Sequence, residues 1–187
     1  SSGFFYIYYV GGWLSLPLLG HAAKILSLNM AQIIKGRKFA NVQGDFVIFL
    51  IGMRVNNWLM IHKWFPVAMA MPKMIKELYK NPQSGFMGEN SWFGRTTISV
   101  QYWKSFEHLE AYAKNKDMEH FPSWKAFNLK ARQSGVVGVW HETYKISQGS
   151  YENIYVNMPL FGLGKSGAVN EAIGKNEHAA GRINKIQ

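Results

Sequence analysis

Four side chains in this sequence could remove a proton from a substrate or stabilise the charge that this creates. The stretch GVVGVWHETYKIS, residues 135–147, places His141, Glu142 and Tyr144 among apolar and β-branched residues. A histidine titrates at about pH 6.5 when unperturbed, so it can remove a proton at neutral pH. A carboxylate buried without a partner has a raised pKa and can also exchange protons. Arg54, which ends another apolar run, could hold a carboxylate or an enolate oxygen. We take these four residues as candidate catalytic groups.

Each of these residues also has a purely structural interpretation. His141 could be a core histidine bonded to nearby groups, Glu142 could pair with an arginine or lysine, and Arg54 could be the partner of Glu142 or Asp45. Strand alternation puts His141 on one face and Glu142 with Tyr144 on the other. One ionisable residue should therefore face a pocket and the other a subunit interface, and the sequence leaves open which.

Polar and aromatic side chains elsewhere suit the wall of a binding pocket. Two of them share one face of a predicted strand, so an amide and an indole could provide a polar handle within an aromatic pocket. A later strand-like run repeats this pattern. The candidate substrate-binding residues are Gln101, Trp103, His120, Trp124, Tyr155 and Asn157.

Metal and cofactor signals are weak. The chain has no cysteine, which excludes disulfides, thiolate ligands and cysteine nucleophiles. The pair His108 and Glu110 falls at the start of an exposed-looking helix, so we predict no metal site. No nucleotide-binding glycine motif stands in the required context. We expect no cofactor. Haem is the alternative left open, because it needs only one histidine, such as His62 or His120.

Positive charge is concentrated toward the ends of the chain. Lys and Arg number 21 against 11 acidic residues, a net charge of +10. Residues 1–44 contain no Asp or Glu. Roughly twenty uncharged residues precede Lys24, about the span of a bilayer core. We expect an apolar helical arm that meets a membrane or packs on protein. The expected location is intracellular, with membrane association, as at the endoplasmic reticulum, left open.

The candidate residues depend on a sheet and helices that the sequence indicates in a clear order. The elements are separated by the spacing of their apolar residues, by turn-forming residues and by the predicted N-cap Ser105. The helical segment after the first strand should be interrupted near Pro66 and Pro72. The predicted order is a buried strand (45–55), a helical segment (58–81), a β-hairpin (86–103), a helix from Ser105, a helix over 121–135, a strand over 137–147 and a strand over 149–159.

Two β-α-β units around a hairpin predict an α+β fold with a ferredoxin-like split βαβ sheet. Helices would cover one face of that sheet, and the bare face would need a second copy, giving a two-fold dimer, a dimeric α+β barrel. The expected organisation is an N-terminal arm (1–44, ending in a basic linker), the ferredoxin-like domain (45–160) and a Gly-rich basic tail (161–187). We expect the tail to be extended or partly disordered.

Five stretches of the sequence resemble a known family. In chain order they are FVIFLIGMRVNNW, HKWFPVAMAMPKMIKELYKNPQSGFMG, FGRTTISVQYWKSFEHLEAYAKNKDMEHFPSWKAFN, GVVGVWHETY and YENIYVNMPLFGLG. They resemble a fungal monooxygenase-like family typified by an enzyme of fumagillin biosynthesis, within the dimeric α+β barrel superfamily. The resemblance implies the fold and a role in secondary metabolism. It specifies the reaction less, since the superfamily hosts oxygenation, haem chemistry, isomerisation and simple binding.

The first functional hypothesis is a small enzyme that tailors an apolar terpenoid or polyketide intermediate between sheet and helices. Cofactor-free oxygenation needs a base, charge stabilisation and a dry cavity. Cyclisation or isomerisation in the same pocket is the alternative reaction. A non-catalytic dimeric binding or scaffold protein is the hypothesis from another class. Nucleic acid is not an expected partner, because the aromatic residues lie in strands too apolar for a solvent-facing stacking platform.

Overall fold

A computed structural model describes residues 31–116 and 134–183 of the chain. The chain divides into two compact units, Ser1–Gln32 and Ile33–Gln187, and all the elements below belong to the second. The predicted apolar arm, the helix predicted over 121–135, His120 and Trp124 lie outside the described residues. Within the two described ranges, no helix is long and apolar enough to cross a membrane. Membrane association through the arm stays a prediction.

Seven strands and four helices make up the described part of the chain. Three 3₁₀ turns, at Pro82–Ser84, Gly162–Lys165 and Gly174–Glu177, connect some of them. The strands are β1 (Ile34–Asn41), β2 (Phe46–Val55), β3 (Phe86–Trp92), β4 (Ile98–Trp103), β5 (Val137–Ile146), β6 (Tyr155–Met158) and β7 (Ala168–Glu171). The helices are α1 (Ile61–Ala68), α2 (Ala70–Lys80), α3 (Phe106–Lys114) and α4 (Ala179–Arg182).

The larger sheet has four antiparallel strands in the order β3-β4-β2-β5. Helices α1 and α2 connect the central strand β2 to the edge strand β3, and α3 follows β4. This strand order with a β3–β4 hairpin is the split βαβ arrangement, so the predicted ferredoxin-like α+β fold is confirmed. The predicted hairpin over 86–103 and the predicted buried strand over 45–55 are confirmed as well.

Local sequence signals explain where the helices begin and end. The helix α1 ends at Ala68 and α2 begins at Ala70, so the junction at Met69 lies between Pro66 inside α1 and Pro72 in the first turn of α2. A proline removes a backbone donor and crowds the preceding turn, which accounts for two helices in place of one. The side chain of Ser105 accepts a hydrogen bond from the His108 backbone N–H at 3.4 Å and caps α3, as predicted.

The helices cover one face of the larger sheet. Directly paired residues on neighbouring strands point to the same side, so Val47 of β2 and Trp103 of β4 share this face. Both are buried with Leu78 of α2 and Tyr112 of α3 in one cluster. At the other end of β2, Met53 and Val55 pack beneath α1 in a second cluster. We call this side the helix-facing side.

A second sheet partly covers the opposite face of the larger one. It has three antiparallel strands in the order β6-β1-β7. Ala40, Val42 and Leu163 are buried there against Phe46 of β2, whose ring meets the Tyr151 ring edge-on at 4.9 Å. The chain therefore shields with its own residues part of the face that the sequence assigned to a second copy.

Two sequence predictions about this second sheet are wrong. The stretch KGRKFANVQGD was interpreted as a basic linker, but most of it is β1. The charged residues Lys35, Arg37 and Lys38 hide the strand pattern, while Phe39 and Ala40 are buried. The tail after residue 160 was expected to be extended or disordered. Instead it forms β7 and α4, with Arg182 buried in an ion pair to Glu152 at 2.8 Å. Its glycines serve turns, since Gly162 has a φ of 54°.

The strand β5 differs from its predicted environment. It lies at the edge of the sheet, with β2 as its described neighbour, and most of its side chains are exposed. The Val, Trp and Tyr content suggested a buried strand, but composition alone does not distinguish a central strand from an edge strand.

Gly52 in the middle of β2 gives the first testable prediction. A Cβ at Gly52 would lie 2.0 Å from the Thr97 carbonyl oxygen and 2.8 Å from Trp140 Nε1. Overpacking of this kind destabilises a protein by about 1–3 kcal/mol. We expect Gly52→Ala to lower the free energy of unfolding by at least about 2 kcal/mol in urea denaturation, because backbone atoms must shift.

Gly138 in β5 is the matched control. Its added Cβ would meet only ordinary contacts, Asn56 Nδ2 at 3.8 Å and Arg54 Cβ at 3.9 Å. Gly138→Ala should leave the free energy of unfolding within about 0.5 kcal/mol of the parent value. Equal effects of the two substitutions would contradict the described packing over Gly52.

Candidate active site

A cavity of about 140 Å³ lies between the helices α1 and α2 and the helix-facing side of the sheet. The helices contribute small and flexible side chains to its wall, and the sheet contributes mostly β-branched and apolar ones. Representative wall residues are Val67, Ala68, Ala70, Met71, Ile51 and Met53. A dry cavity of about 150 Å³ is large enough to bind benzene, so this space can hold one ring of an apolar molecule.

A second, smaller cavity of about 50 Å³ adjoins the first one. Ile51, Met71 and Met74 line both, so these three side chains form the partition between them. Methionine side chains are flexible and adapt to irregular space. A ligand larger than one ring could therefore extend from the first cavity into the second by displacing Met71 or Met74.

The larger cavity opens to solvent beside three apolar side chains. Trp92 is 45% exposed, Phe93 76% and Val139 46%, and all three belong to its lining. Exposed aromatic side chains at a cavity entrance favour an apolar ligand. We call these three exposed lining residues, at the end of β3 and on the edge strand β5, the entrance.

A row of polar side chains crosses this apolar wall. Ser91 and Ser99 are directly paired across β3 and β4, and both line the larger cavity. Glu89 and Gln101 are the next pair on the same side, and Gln101 lines the smaller cavity. Ser99 and Gln101 are only 3% and 4% exposed. Buried polar groups need hydrogen-bond partners, and these residues provide them for one another.

The hydrogen bonds of this row converge on Glu89. Ser91 Oγ donates to Glu89 Oε2 at 2.6 Å, and Ser99 Oγ donates to the same oxygen at a longer 3.4 Å. Gln101 Nε2 lies 3.5 Å from Ser99 Oγ, and Trp103 Nε1 donates to Gln101 Oε1 at 3.1 Å. We call Glu89, Ser91, Ser99, Gln101 and Trp103 the polar row.

His141, the leading candidate base, lies on the helix-facing side. It is paired with Ile51, which lines both cavities, and its ring centre is 5.7 Å from that of Phe49. Its side chain is exposed, and the cavity lining reaches β5 at Val139, two residues away. The structure thus answers the question that the sequence left open: His141 faces the helix side, beside the cavity entrance, and Glu142 does not.

The other three catalytic candidates lie on the opposite face. Glu142 is paired with Leu50, and Arg54 with Gly138 near the end of the sheet. Tyr144 Oη donates to Glu142 Oε2 at 2.6 Å, and this bond raises the pKa of Tyr144. Arg54 donates to Thr96 Oγ1 at 2.8 Å instead of pairing with Glu142 or Asp45. The structure does not bring these three together with His141.

The substrate-binding candidates divide into two groups. Gln101 and Trp103 line the smaller cavity, where an amide and an indole were expected. Tyr155 and Asn157 lie in β6 of the second sheet, away from both cavities. The Tyr155 hydroxyl accepts from the Gly164 N–H at 3.3 Å, and Asn157 Oδ1 accepts from the Gly36 N–H at 3.0 Å. These contacts give the two residues a structural role.

The described residues offer no obvious metal or haem ligand set. No three His, Asp or Glu side chains within residues 31–116 and 134–183 are close enough to hold a metal ion. His108 Nδ1 instead contacts Ser105 Oγ at 2.9 Å, and His62 is exposed on α1. The described lining of the two cavities contains no histidine that could be an axial haem ligand.

Sequence reasoning missed Glu89, Ser91 and Ser99. The segment around Glu89 was interpreted as turn-rich because of its glycines and asparagines. The available signal was alternation: Glu89 and Ser91 are two residues apart in one arm of the predicted hairpin, and Ser99 and Gln101 are two apart in the other. Pairing the two arms would have placed all four on one face.

The strand order and the covering helices define a ferredoxin-like α+β protein, with an apolar cavity and a polar wall between its sheet and its helices. The chain belongs to the Monooxygenase af470-like family, whose model matches residues 46–163. This range contains the four-stranded sheet, both cavities and the polar row.

One curated relative and two solved structures illustrate the similarity. Monooxygenase af470 of Aspergillus fumigatus is 26% identical over 159 residues, 73% of this chain and 56% of that protein. An aldoxime dehydratase has a TM-score of 0.60 at 16% identity, over 75% of this chain and 45% of its own. SnoaB, a cofactor-independent oxygenase from Streptomyces nogalater, has a TM-score of 0.40 at 12% identity, over 56% of this chain and 95% of its own. The chain thus spans about half the length of the curated relative.

Two half-buried tyrosines, Tyr102 of the larger sheet and Tyr155 of the second sheet, predict a loss of stability in alkali. Burial raises the pKa of both Tyr102 and Tyr155 above the usual value of about 10. The unfolded chain therefore ionises first. The stability that these phenols provide is complete below about pH 10 and is lost as the pH rises through their raised pKa values. We expect the urea midpoint to fall as the pH rises above about 10, and Tyr102→Phe to make this fall less steep. An equally steep fall in Tyr102→Phe would contradict the assignment.

Proposed function

We propose that this protein is a small tailoring enzyme of secondary metabolism that oxygenates an apolar terpenoid or polyketide intermediate without a bound cofactor. The observation that carries the proposal is the apolar cavity of about 140 Å³ with a polar row in one wall. Membership of a family described as monooxygenase-like supports the reaction class. A mostly apolar pocket with few polar groups suits an apolar molecule that needs a fixed orientation.

The chemistry requires three contributions from the protein. A base removes an acidic C–H proton, and the resulting carbanion transfers one electron to dioxygen. The substrate radical and superoxide combine into a peroxide anion, which takes up a proton to become a hydroperoxide and then loses water to leave a carbonyl. A CH₂ group and O₂ thus become C=O and H₂O, and the substrate supplies all the electrons. The protein supplies the base, the orientation and a site from which water is excluded.

His141 is the base in this proposal. It lies on the helix-facing side next to the cavity entrance, where part of a ligand larger than the cavity would emerge. Ile51 separates it from Ser99 in the same cross-strand row. Two strand spacings put the backbones of His141 and Ser99 about 10 Å apart. A substrate held at the polar row can therefore present a distant carbon to the imidazole.

A cavity-filling substitution tests the proposal. Ala70 lines the cavity, so Ala70→Phe should block it. We expect the parent protein to consume dioxygen with a small C–H acid that also carries an N–H donor, such as oxindole, with ¹⁸O from ¹⁸O₂ entering the product. Ala70→Phe should lose at least about 90% of this rate, since a misplaced substrate costs about 100-fold.

Ala111 on the exposed side of α3 provides the matched control. Ala111→Phe should retain the parental rate, and His141→Gln should lose turnover while the cavity still binds ligand. A rate no higher than that of protein-free solution across a panel of such C–H acids would contradict oxygenation. Conversion to an isomer without oxygen uptake would replace it with the cyclase or isomerase reaction.

We also propose that a second copy of the chain covers the rest of the sheet face that β1, β6 and β7 leave open. The edge strand β5 is ten residues long, and Tyr144 on that face is 48% exposed. Long edge strands with exposed aromatic residues are sites of pairing, and natural proteins cover them. A homodimer would cover Glu142 and Tyr144 and would leave the cavity on the other side accessible.

Light scattering tests this assembly. We expect a particle of twice the 21.3 kDa chain mass. Tyr144→Lys should shift the mass toward one chain, because a buried unpaired ammonium is unfavourable at an interface. Tyr79→Lys is the control, since Tyr79 is 55% exposed on α2, on the helix side. A single-chain mass for the parent protein at micromolar concentration would overturn the dimer.

A further inference from the structure

We propose that the cavity selects ligands with an O–H or N–H group, because Glu89 holds the hydroxyl hydrogens of Ser91 and Ser99 and leaves only their oxygens to meet the ligand. The inference rests on the proposed function and narrows its substrate class to hydrogen-bond donors. Glu89 is then a positioning residue: it acts through the serines and does not itself line the cavity.

The direction of the hydrogen bonds follows from the chemistry of the two ends of the polar row. At one end, the Trp103 indole can only donate, so Gln101 must present its oxygen to it and its amide nitrogen to Ser99. At the other end, an ionised Glu89 can only accept, so both serines must donate to it. The hydroxyl hydrogens of both serines therefore point toward Glu89, while Gln101 Nε2 also donates to Met71 Sδ at 3.8 Å.

Each serine hydroxyl has one hydrogen to donate. The bond from Ser91 Oγ to Glu89 is short, at 2.6 Å, as expected of a bond to a charged acceptor. Once that hydrogen is committed, the oxygen of Ser91 can only accept. Ser99 already accepts from Gln101, whereas no other described group bonds the Ser91 hydroxyl. Ser91 therefore has free acceptor capacity at the cavity wall.

Discrimination against other ligands follows from this arrangement. A hydroxyl or N–H group on the ligand would complete the bonding of Ser91 inside an apolar site. An ether or ketone oxygen would instead face the lone pairs of the serines without a hydrogen between them. A site built around buried polar groups rejects a ligand that leaves those groups unpaired much more strongly than it rejects a small change in shape.

A matched pair of ring-sized probes tests the inference. 4-Fluorophenol has a hydroxyl donor, which remains protonated at pH 7 as in tyrosine, and 4-fluoroanisole can only accept. Titrations followed by ¹⁹F NMR give both dissociation constants. We expect the parent protein to prefer the phenol by about 10-fold, a typical effect of one hydrogen bond to a charge-linked group. Glu89→Gln and Ser91→Ala should each reduce this ratio to about 2 or less.

Glu110 supplies the matched control, because it is an exposed carboxylate on α3 paired with Lys114. Glu110→Gln should keep the parental preference. Should Glu89→Gln fail to fold, Ser91→Ala still carries the test, since it leaves the carboxylate in place. An unchanged ratio in a folded Ser91→Ala variant would overturn the inference.

The outcome also separates this inference from the proposed function. The parent protein could bind both probes with equal affinity, and Ala70→Phe could lose the binding of both. That result would overturn the donor requirement and leave the apolar cavity as a ligand site. If Ala70→Phe weakened the binding of neither probe, or if neither probe bound at all, both the inference and the proposed function would be contradicted.

Discussion

The structure depends on the burial of β2 on both of its faces. Both faces of this strand carry apolar side chains, with Val47, Met53 and Val55 on one face and Phe46 on the other. Such a strand has to be covered on both faces, because removing apolar surface from water stabilises the folded state by about 25 cal/mol per Å². The helices cover one side. The second sheet covers part of the other, so residues outside the four-stranded sheet complete the fold.

The cavity follows from how the helical cover is made. The two prolines divide the cover into α1 and α2, and the junction at Met69 lies between Ala68 and Ala70. Both alanines line the cavity, and such short side chains cannot fill the space down to the sheet. The polar row lies in the opposite wall, where its buried groups satisfy one another. The apolar space thus arises from the junction between α1 and α2, and the hydrogen-bonding wall arises from the pairing of β3 with β4.

Much of the fold could be predicted from the sequence, because the strands and helices of the larger sheet have clear periods and caps. Ser105, Pro66 and Pro72 are local signals, and each acts where it was expected. The second sheet could not be predicted in the same way, because β1 pairs with strands more than a hundred residues away and its exposed face is basic. Such long-range pairing leaves little local pattern.

The candidate site was predicted only in part, and the reason is register. Gln101 and Trp103 were found because they alternate within one strand. Glu89 and Ser91 can be assigned to the cavity wall only when β3 is paired with β4, and this pairing cannot be predicted from one strand alone. The same limit applied to His141 and Glu142: alternation separated them, but only the pairing with Ile51 showed which one faces the helices.

The central claim is that a ligand-accessible apolar cavity lies between α2 and the sheet beside the polar row. Crystals pressurised with xenon measure this directly, because xenon occupies apolar cavities and not polar ones. The account predicts a xenon atom in contact with Met71, Met74 and Ile51, with Ser91 bonded to Glu89 in the same crystal. Side chains or ordered water filling that space, with no xenon bound, would contradict it.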